Sequence, residues 1–255
     1  MKRKKFNFTM AKGAAHAGIS KNSGHTAFTL AEALITLGII GVVAAMTLPA
    51  VINNSRNKQL EAGLKRSYSV ISQALDQYQA ETGERITIEN QGSHTLKPIL
   101  MRYLKTVQDC GFGADEANKS CIPNKNYLPE EDRADARAYR TYNGKSEIQM
   151  TLFDDGQFVL NDGSLILIEN IIGYNRLYIS VDVNGYNKNP NRLGQDLFMF
   201  QIDSKGTLLP MGAKGTNYYN AADDYCSPAS TTNLNGAGCT YKALTDKNYF
   251  KNLPK

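Results

Sequence analysis

Twenty consecutive residues without a charge, Ala33 to Ile52, set the strongest limit on what this chain can become. The run is rich in Leu, Ile, Val, Ala and Gly, and about 20 residues are what a helix rising 1.5 Å per residue needs to cross ~30 Å of hydrocarbon. Ahead of it, residues 1–27 carry Lys2, Arg3, Lys4, Lys5, Lys12 and Lys21 and no acidic residue, and read as a basic, unfolded leader. Behind it only Arg56 and Lys58 follow closely. This asymmetry of Lys and Arg puts the N-terminus in the cytoplasm and the long remainder outside. A secretory signal peptide shares the basic start and the apolar run. Three features favour an uncleaved anchor: the run exceeds the roughly 7–15 residues of a signal core, Glu32 stands at its cytoplasmic edge, and helical periodicity continues past its end.

In that continuation Leu60, Leu64, Ile71, Leu75 and Tyr78 fall on one helical face, with Lys58, Glu61, Lys65, Arg66, Asp76 and Gln77 elsewhere, and Thr82-Gly83 supplies a stop. One helix from Phe28 to about Glu81 would be on the order of 80 Å long, with its membrane span at about 30–52 and an amphipathic part at about 55–81. Pro49 removes one backbone hydrogen bond and is expected to kink it, while Gly38 and Gly41 permit close approach of another helix.

The segment Ala27-Phe28-Thr29-Leu30-Ala31-Glu32-Ala33-Leu34-Ile35 carries a specific resemblance. The chain is similar to type IV prepilins and type II secretion pseudopilins: a basic leader, a cut before Phe, Glu as the fifth mature residue, and an apolar helix. The resemblance implies cleavage between Ala27 and Phe28, although Ala27 stands where family members mostly carry Gly. A cut at Gly24 would make Glu32 the eighth residue, so the cut after Ala27 keeps the Phe-to-Glu spacing. Pro49 matches the position of a helix-breaking proline in many pilins. The implied role is a structural subunit of a pilus or pseudopilus, N-methylated at Phe28. Its partners would be other pilin or pseudopilin subunits, a prepilin peptidase and N-methyltransferase, an inner-membrane assembly platform and the lipid bilayer. A carboxylate in an apolar span needs a partner; the family's is the amine freed at Phe28 of a neighbouring subunit. The alternatives are an anchored surface binding module that never polymerises and a minor pilin for DNA uptake.

From Gly83 to Lys255 the pattern changes to that of an exported α+β domain. Leu96 to Val107 reads as a short helix with Leu100, Tyr103, Leu104 and Val107 on one face, and residues 109–146 as a loop. Runs of high β propensity follow: Ile148–Phe153, Gln157–Leu160, Ser164–Ile168, Arg176–Val183, Leu197–Ile202 and Thr207–Leu209. Asp154-Asp155-Gly156 and Asn161-Asp162-Gly163 between them signal hairpins, so an antiparallel sheet of about four to six strands packed on the apolar face of the long helix is expected. Cys110, Cys121, Cys226 and Cys239 allow three connectivities; the expected one is local, Cys110 with Cys121 and Cys226 with Cys239, in an oxidising compartment. Zinc is disfavoured because no C-x-x-C spacing exists and only His94 lies beyond the leader.

The stretch from Asp182 through Asn184, Gly185, Asn187, Asn189, Pro190 and Gly194 to Asp196 concentrates oxygen-bearing side chains between two strands. Asp182, Asn184, Asn187 and Asp196 are candidate calcium ligands; the competing reading is an Asx-rich turn bonding its own backbone. Tyr186 and the lack of a closing Glu break the EF-hand pattern. No G-x-S-x-G, H-E-x-x-H or G-x-x-x-x-G-K-[ST] occurs, so an enzyme is not expected. The formal charge of +5 does not argue for nucleic-acid binding: the leader holds six of the 29 basic residues and none of the 24 acidic ones, which leaves 23 against 24 after a cut at Ala27.

Overall fold

The computed structural model describes residues 29–112, 121–122, 130, 138–171, 173–174, 176–219 and 224–255. The chain divides into two compact units, Met1–Leu48 and Pro49–Lys255. Helix α1 spans Leu30–Thr82 without interruption through Pro49. It stops where the sequence says it should: Gly83 adopts φ 79°, a left-handed geometry that only glycine takes without cost, and its N–H closes the last turn on the Gln79 carbonyl at 2.8 Å.

In the second unit α1 is followed by α2 (Leu96–Tyr103), β1 (Thr106–Asp109), β2 (Gln157–Leu160), β3 (Leu165–Ile171), β4 (Arg176–Asp182), β5 (Leu197–Ile202), β6 (Leu208–Pro210) and α3 (Cys239–Thr245). The described strands form one antiparallel sheet in the order β1-β2-β3-β4-β5-β6, each paired with its neighbour in sequence. The β2–β3 turn is the expected one: Leu160 N–H reaches Ser164 O at 2.9 Å, and the Asp162 carboxylate accepts the Ser164 N–H and hydroxyl.

Two expectations are corrected. The second helix ends at Tyr103; Leu104 turns extended and Val107 enters β1, where its side chain is 65% exposed. Its helical spacing from Leu100 and Leu104 was therefore coincidental. Residues 148–153 form no strand but a 3-10 turn at Met150–Leu152. The reason is that Asp154-Asp155-Gly156 does not fold back as a hairpin. Asp155 N–H and Gly156 O bond the two sides of Ile168, and the Asp155 carboxylate takes the Asn170 N–H, so this segment is tied to β3.

The sheet is buried on both faces. On one, Leu60, Leu64 and Ile71 of α1 share a core with Phe158, Ile166, Ile168, Ile179, Val181, Phe198 and Phe200, and Tyr68 stacks on Phe200 with ring centroids 5.5 Å apart. On the other, Val159, Leu165, Leu167, Tyr178, Leu197 and Met199 pack with Tyr139, Leu152, Phe153 and Met211. Double coverage explains why β3 and β5 read as continuous apolar runs rather than alternating ones. Each fully buried Leu, Ile or Phe contributes roughly 1.5–3 kcal/mol. Ser67 and Ala74 are buried on α1 while Leu75 and Tyr78 are only partly so, which rotates the packing stripe slightly from the one the large residues suggested. The disulfides are Cys110–Cys121 and Cys226–Cys239. Closing loops of 11 and 13 residues contributes roughly 3 kcal/mol each in the chain-entropy account.

Candidate functional site

The start of α1 is a small hydrogen-bonded device. Thr29 N–H and Thr29 hydroxyl both donate to Glu32 Oε2 at 2.8 Å, and Glu32 N–H donates to Thr29 Oγ1 at 3.2 Å. This is a reciprocal capping box, Thr-x-x-Glu, which satisfies backbone donors that a helix start leaves open. The sequence contains the signal, a Thr three residues before a Glu, so Glu32 has a local partner in Thr29 in addition to any it finds elsewhere. Glu32 is the single charged residue between Leu30 and Ser55. Around and beyond it Leu30, Leu34, Ile35, Leu37, Ile39 and Ile40 are all more than half exposed, and the exposed apolar surface runs on to Ile52. The helix is long and apolar enough to cross a membrane. Pro49 lies inside it. Ala27 and Phe28 lie outside the described residues.

The second place of interest is the loop joining β4 to β5. Asp182 ends β4 and Asp196 precedes β5, and both are fully buried. Asp182 Oδ1 accepts the N–H groups of Asn184 at 3.1 Å and Gly185 at 2.9 Å, and its Oδ2 accepts the Tyr139 hydroxyl. Asp196 takes the N–H groups of Asn191 and Arg192, both at 2.7 Å. The carboxylates thus clasp the loop at its two ends through Asx-type bonds. Asn191 Nδ2 closes on Tyr186 O at 3.0 Å, while Asn184 Oδ1 and Asn191 Oδ1 are buried without a hydrogen-bond partner. Of the sequence candidates, Asp182 and Asp196 are brought together and Asn187 is exposed. Asn191 offers a further buried oxygen in the same loop. Asp182, Asn184, Asn191 and Asp196 are the side chains here that could hold a hard cation.

Burial, and the neighbouring Asp182 charge, push the Asp196 carboxyl up to about 8. Burial likewise raises Asp182 to about 6, against the pull of the Tyr139 and backbone donors. A carboxyl raised above its ordinary value near 3.8 binds more protons in the folded than in the unfolded chain between those two values. Stability from this pair is therefore present at acid pH and lost as pH rises through about 4 to 8. The thermal midpoint is expected to be higher at pH 5 than at pH 8, with a shallower slope in Asp196→Asn. Calorimetry across that range checks both; a midpoint that climbs toward pH 8 contradicts the assignment.

Comparison with known proteins returns no match: no family model, no curated protein and no solved structure matches this chain.

Proposed function

We propose that this chain is a structural subunit of a type IV pilus or type II secretion pseudopilus. The observation that carries the reading is the sequence Ala27-Phe28-Thr29-Leu30-Ala31-Glu32, whose last three residues open a 53-residue helix. The first part of that helix is exposed and apolar, and its second part packs on an antiparallel sheet. In this reading the precursor spans the inner membrane once, N-terminus in the cytoplasm, and its sheet domain is exported. The two disulfides fit an oxidising compartment outside the cytoplasm. A prepilin peptidase cuts between Ala27 and Phe28, the new amine is methylated, and α1 leaves the bilayer to pack against the helices of other subunits. Its apolar surface exchanges lipid for protein, and Glu32 pairs with a neighbour's N-terminus.

Intact-mass measurement of the chain extracted from membranes tests the reading. The expected species begins at Phe28 and carries one added methyl group. A chain that still begins at Met1 in cells making the peptidase overturns it.

A further inference from the structure

We propose that Asp154, Asp155 and Glu169 form a binding site for a hard, calcium-sized divalent cation, with His94 at its rim. Each of the three carboxylates offers an oxygen, and these oxygens lie within 4.8 Å of one another. Three oxygens at that separation lie at most about 2.8 Å from a common centre, so a shift of a few tenths of an ångström brings all three to the roughly 2.3–2.6 Å of calcium–oxygen bonds. Such a cluster alone proves little, since acidic groups gather at surfaces without metal. The independent observation is Glu169. It sits in β3, only 1% exposed, and its Oε2 is buried with no hydrogen-bond partner, while Oε1 has Arg176 at a loose 3.5 Å. A buried carboxylate oxygen without a partner has lost its hydration with nothing in exchange, a cost that a cation would relieve.

The surroundings are built rather than incidental. Asp155 is also buried; its Oδ2 is fixed by the Asn170 N–H at 2.7 Å and its Oδ1 faces His94 Nε2 at 3.3 Å. His94 is held at φ 62°, a conformation unusual for a non-glycine residue, by its N–H bond to Asn170 O at 3.0 Å. Both carboxylate oxygens of Asp155 keep a lone pair free for a metal. Three carboxylates face one guanidinium, so the site carries excess negative charge when all are ionised. Without a cation, burial and the charges of Asp155 and Asp154 push Glu169 up to about 8 and raise Asp154 as well. Among the described residues, Arg176 and Tyr178 of β4, Tyr218 and His94 lie around Glu169 and its two neighbours, with Lys97 packed against Gly156 and Tyr174 against Arg176.

The chain has no tryptophan, which makes terbium a clean probe: it substitutes for calcium in oxygen sites, and nearby tyrosines such as Tyr178 and Tyr218 excite its emission. The full chain in detergent is expected to show saturable, tyrosine-sensitised terbium emission that calcium displaces. Glu169→Gln, of nearly the same shape, should weaken binding at least about tenfold, as should Asp154→Asn at the more accessible edge. Asp196→Asn, which removes a carboxylate from the β4–β5 loop, separates binding there from binding at this cluster, and Asp246→Asn, exposed at the end of α3, should leave the emission unchanged. Circular dichroism of each variant confirms the fold, and Asp154→Asn decides the matter should Glu169→Gln not fold. Absence of saturable binding, unchanged affinity in the folded Glu169→Gln or Asp154→Asn chain, or loss that follows Asp196→Asn instead, overturns the proposal.

Discussion

Glu32→Gln and Glu32→Ala are expected to exclude the chain equally from the filament proposed above. The comparison matters because Glu32 has a local task, accepting two hydrogen bonds from Thr29 in the capping box. Gln serves that position nearly as well as Glu, so Glu32→Gln keeps the cap and removes only the charge. Thr29→Val does the reverse: it removes the hydroxyl and its part of the cap, worth about 1 kcal/mol, and leaves the carboxylate. An ionised group costs about 2.5–3.5 kcal/mol at the centre of the bilayer and less at the edge where Glu32 stands, so relief of that cost by a neighbour's amine corresponds to a factor of roughly ten or more in assembly equilibrium. Both Glu32 variants should therefore fall below about a tenth of normal incorporation, while Thr29→Val stays within a few fold. Sheared filaments quantified against the membrane pool provide the measurement, with intact mass confirming processing. Normal incorporation of Glu32→Gln beside failure of Glu32→Ala would reduce Glu32 to a helix cap and remove the charge pair from the mechanism.

The largest loss of stability is expected from Gly212→Ala. Gly212 follows β6 at φ 97°, and a Cβ added there would stand 1.9 Å from the Gly238 carbonyl oxygen and 2.7 Å from its carbon. Those atoms are backbone and cannot rotate aside. Gly238 leads directly into α3, whose first residue, Cys239, is tied to Cys226. The same short helix is fastened to the sheet: Met199 N–H donates to Thr240 Oγ1 at 3.0 Å, and Tyr241 N–H donates to Met211 O at 2.9 Å. To admit one methyl group the chain must pull α3 off this face or abandon the Gly212 conformation. We expect destabilisation of at least about 3 kcal/mol, as much as or more than the paired change Cys226→Ser with Cys239→Ser. Urea unfolding of the detergent-solubilised chain measures both. A loss under about 1 kcal/mol for Gly212→Ala would show that residues 236–239 yield easily and are no lock.

How much of this was legible depends on whether the deciding contact is local. The long helix was readable because its uncharged run and its Thr82-Gly83 stop are properties of neighbouring residues, whereas its Thr29–Glu32 cap, equally local, was overlooked. Strands β2 to β6 were readable because turn residues separate apolar runs. β1 was not, since Thr106–Asp109 is extended only by pairing with a strand some fifty residues later. α3 was missed for a similar reason: seven residues without a side-chain cap hold as a helix only because the disulfide and β5 grip them. At the candidate sites, Asp182 and Asp196 announced themselves by loop composition. Glu169 did not, although a carboxylate placed after the run Leu165–Ile168 is a signal that a buried charge needs an answer. The second core was invisible for want of any periodicity: when both faces of a strand are covered, alternation disappears.

The sheet's two outermost strands have a bearing on life among copies. β1 has four residues and a register shift between Thr106 and Gln108; β6 has three and ends in Pro210, which has no N–H to offer. Blunted margins of this kind give another strand nowhere to dock. Among the described residues, such edges disfavour edge-to-edge pairing between copies. Any order they acquire together has to come from side chains and helices, and each sheet remains the property of one chain.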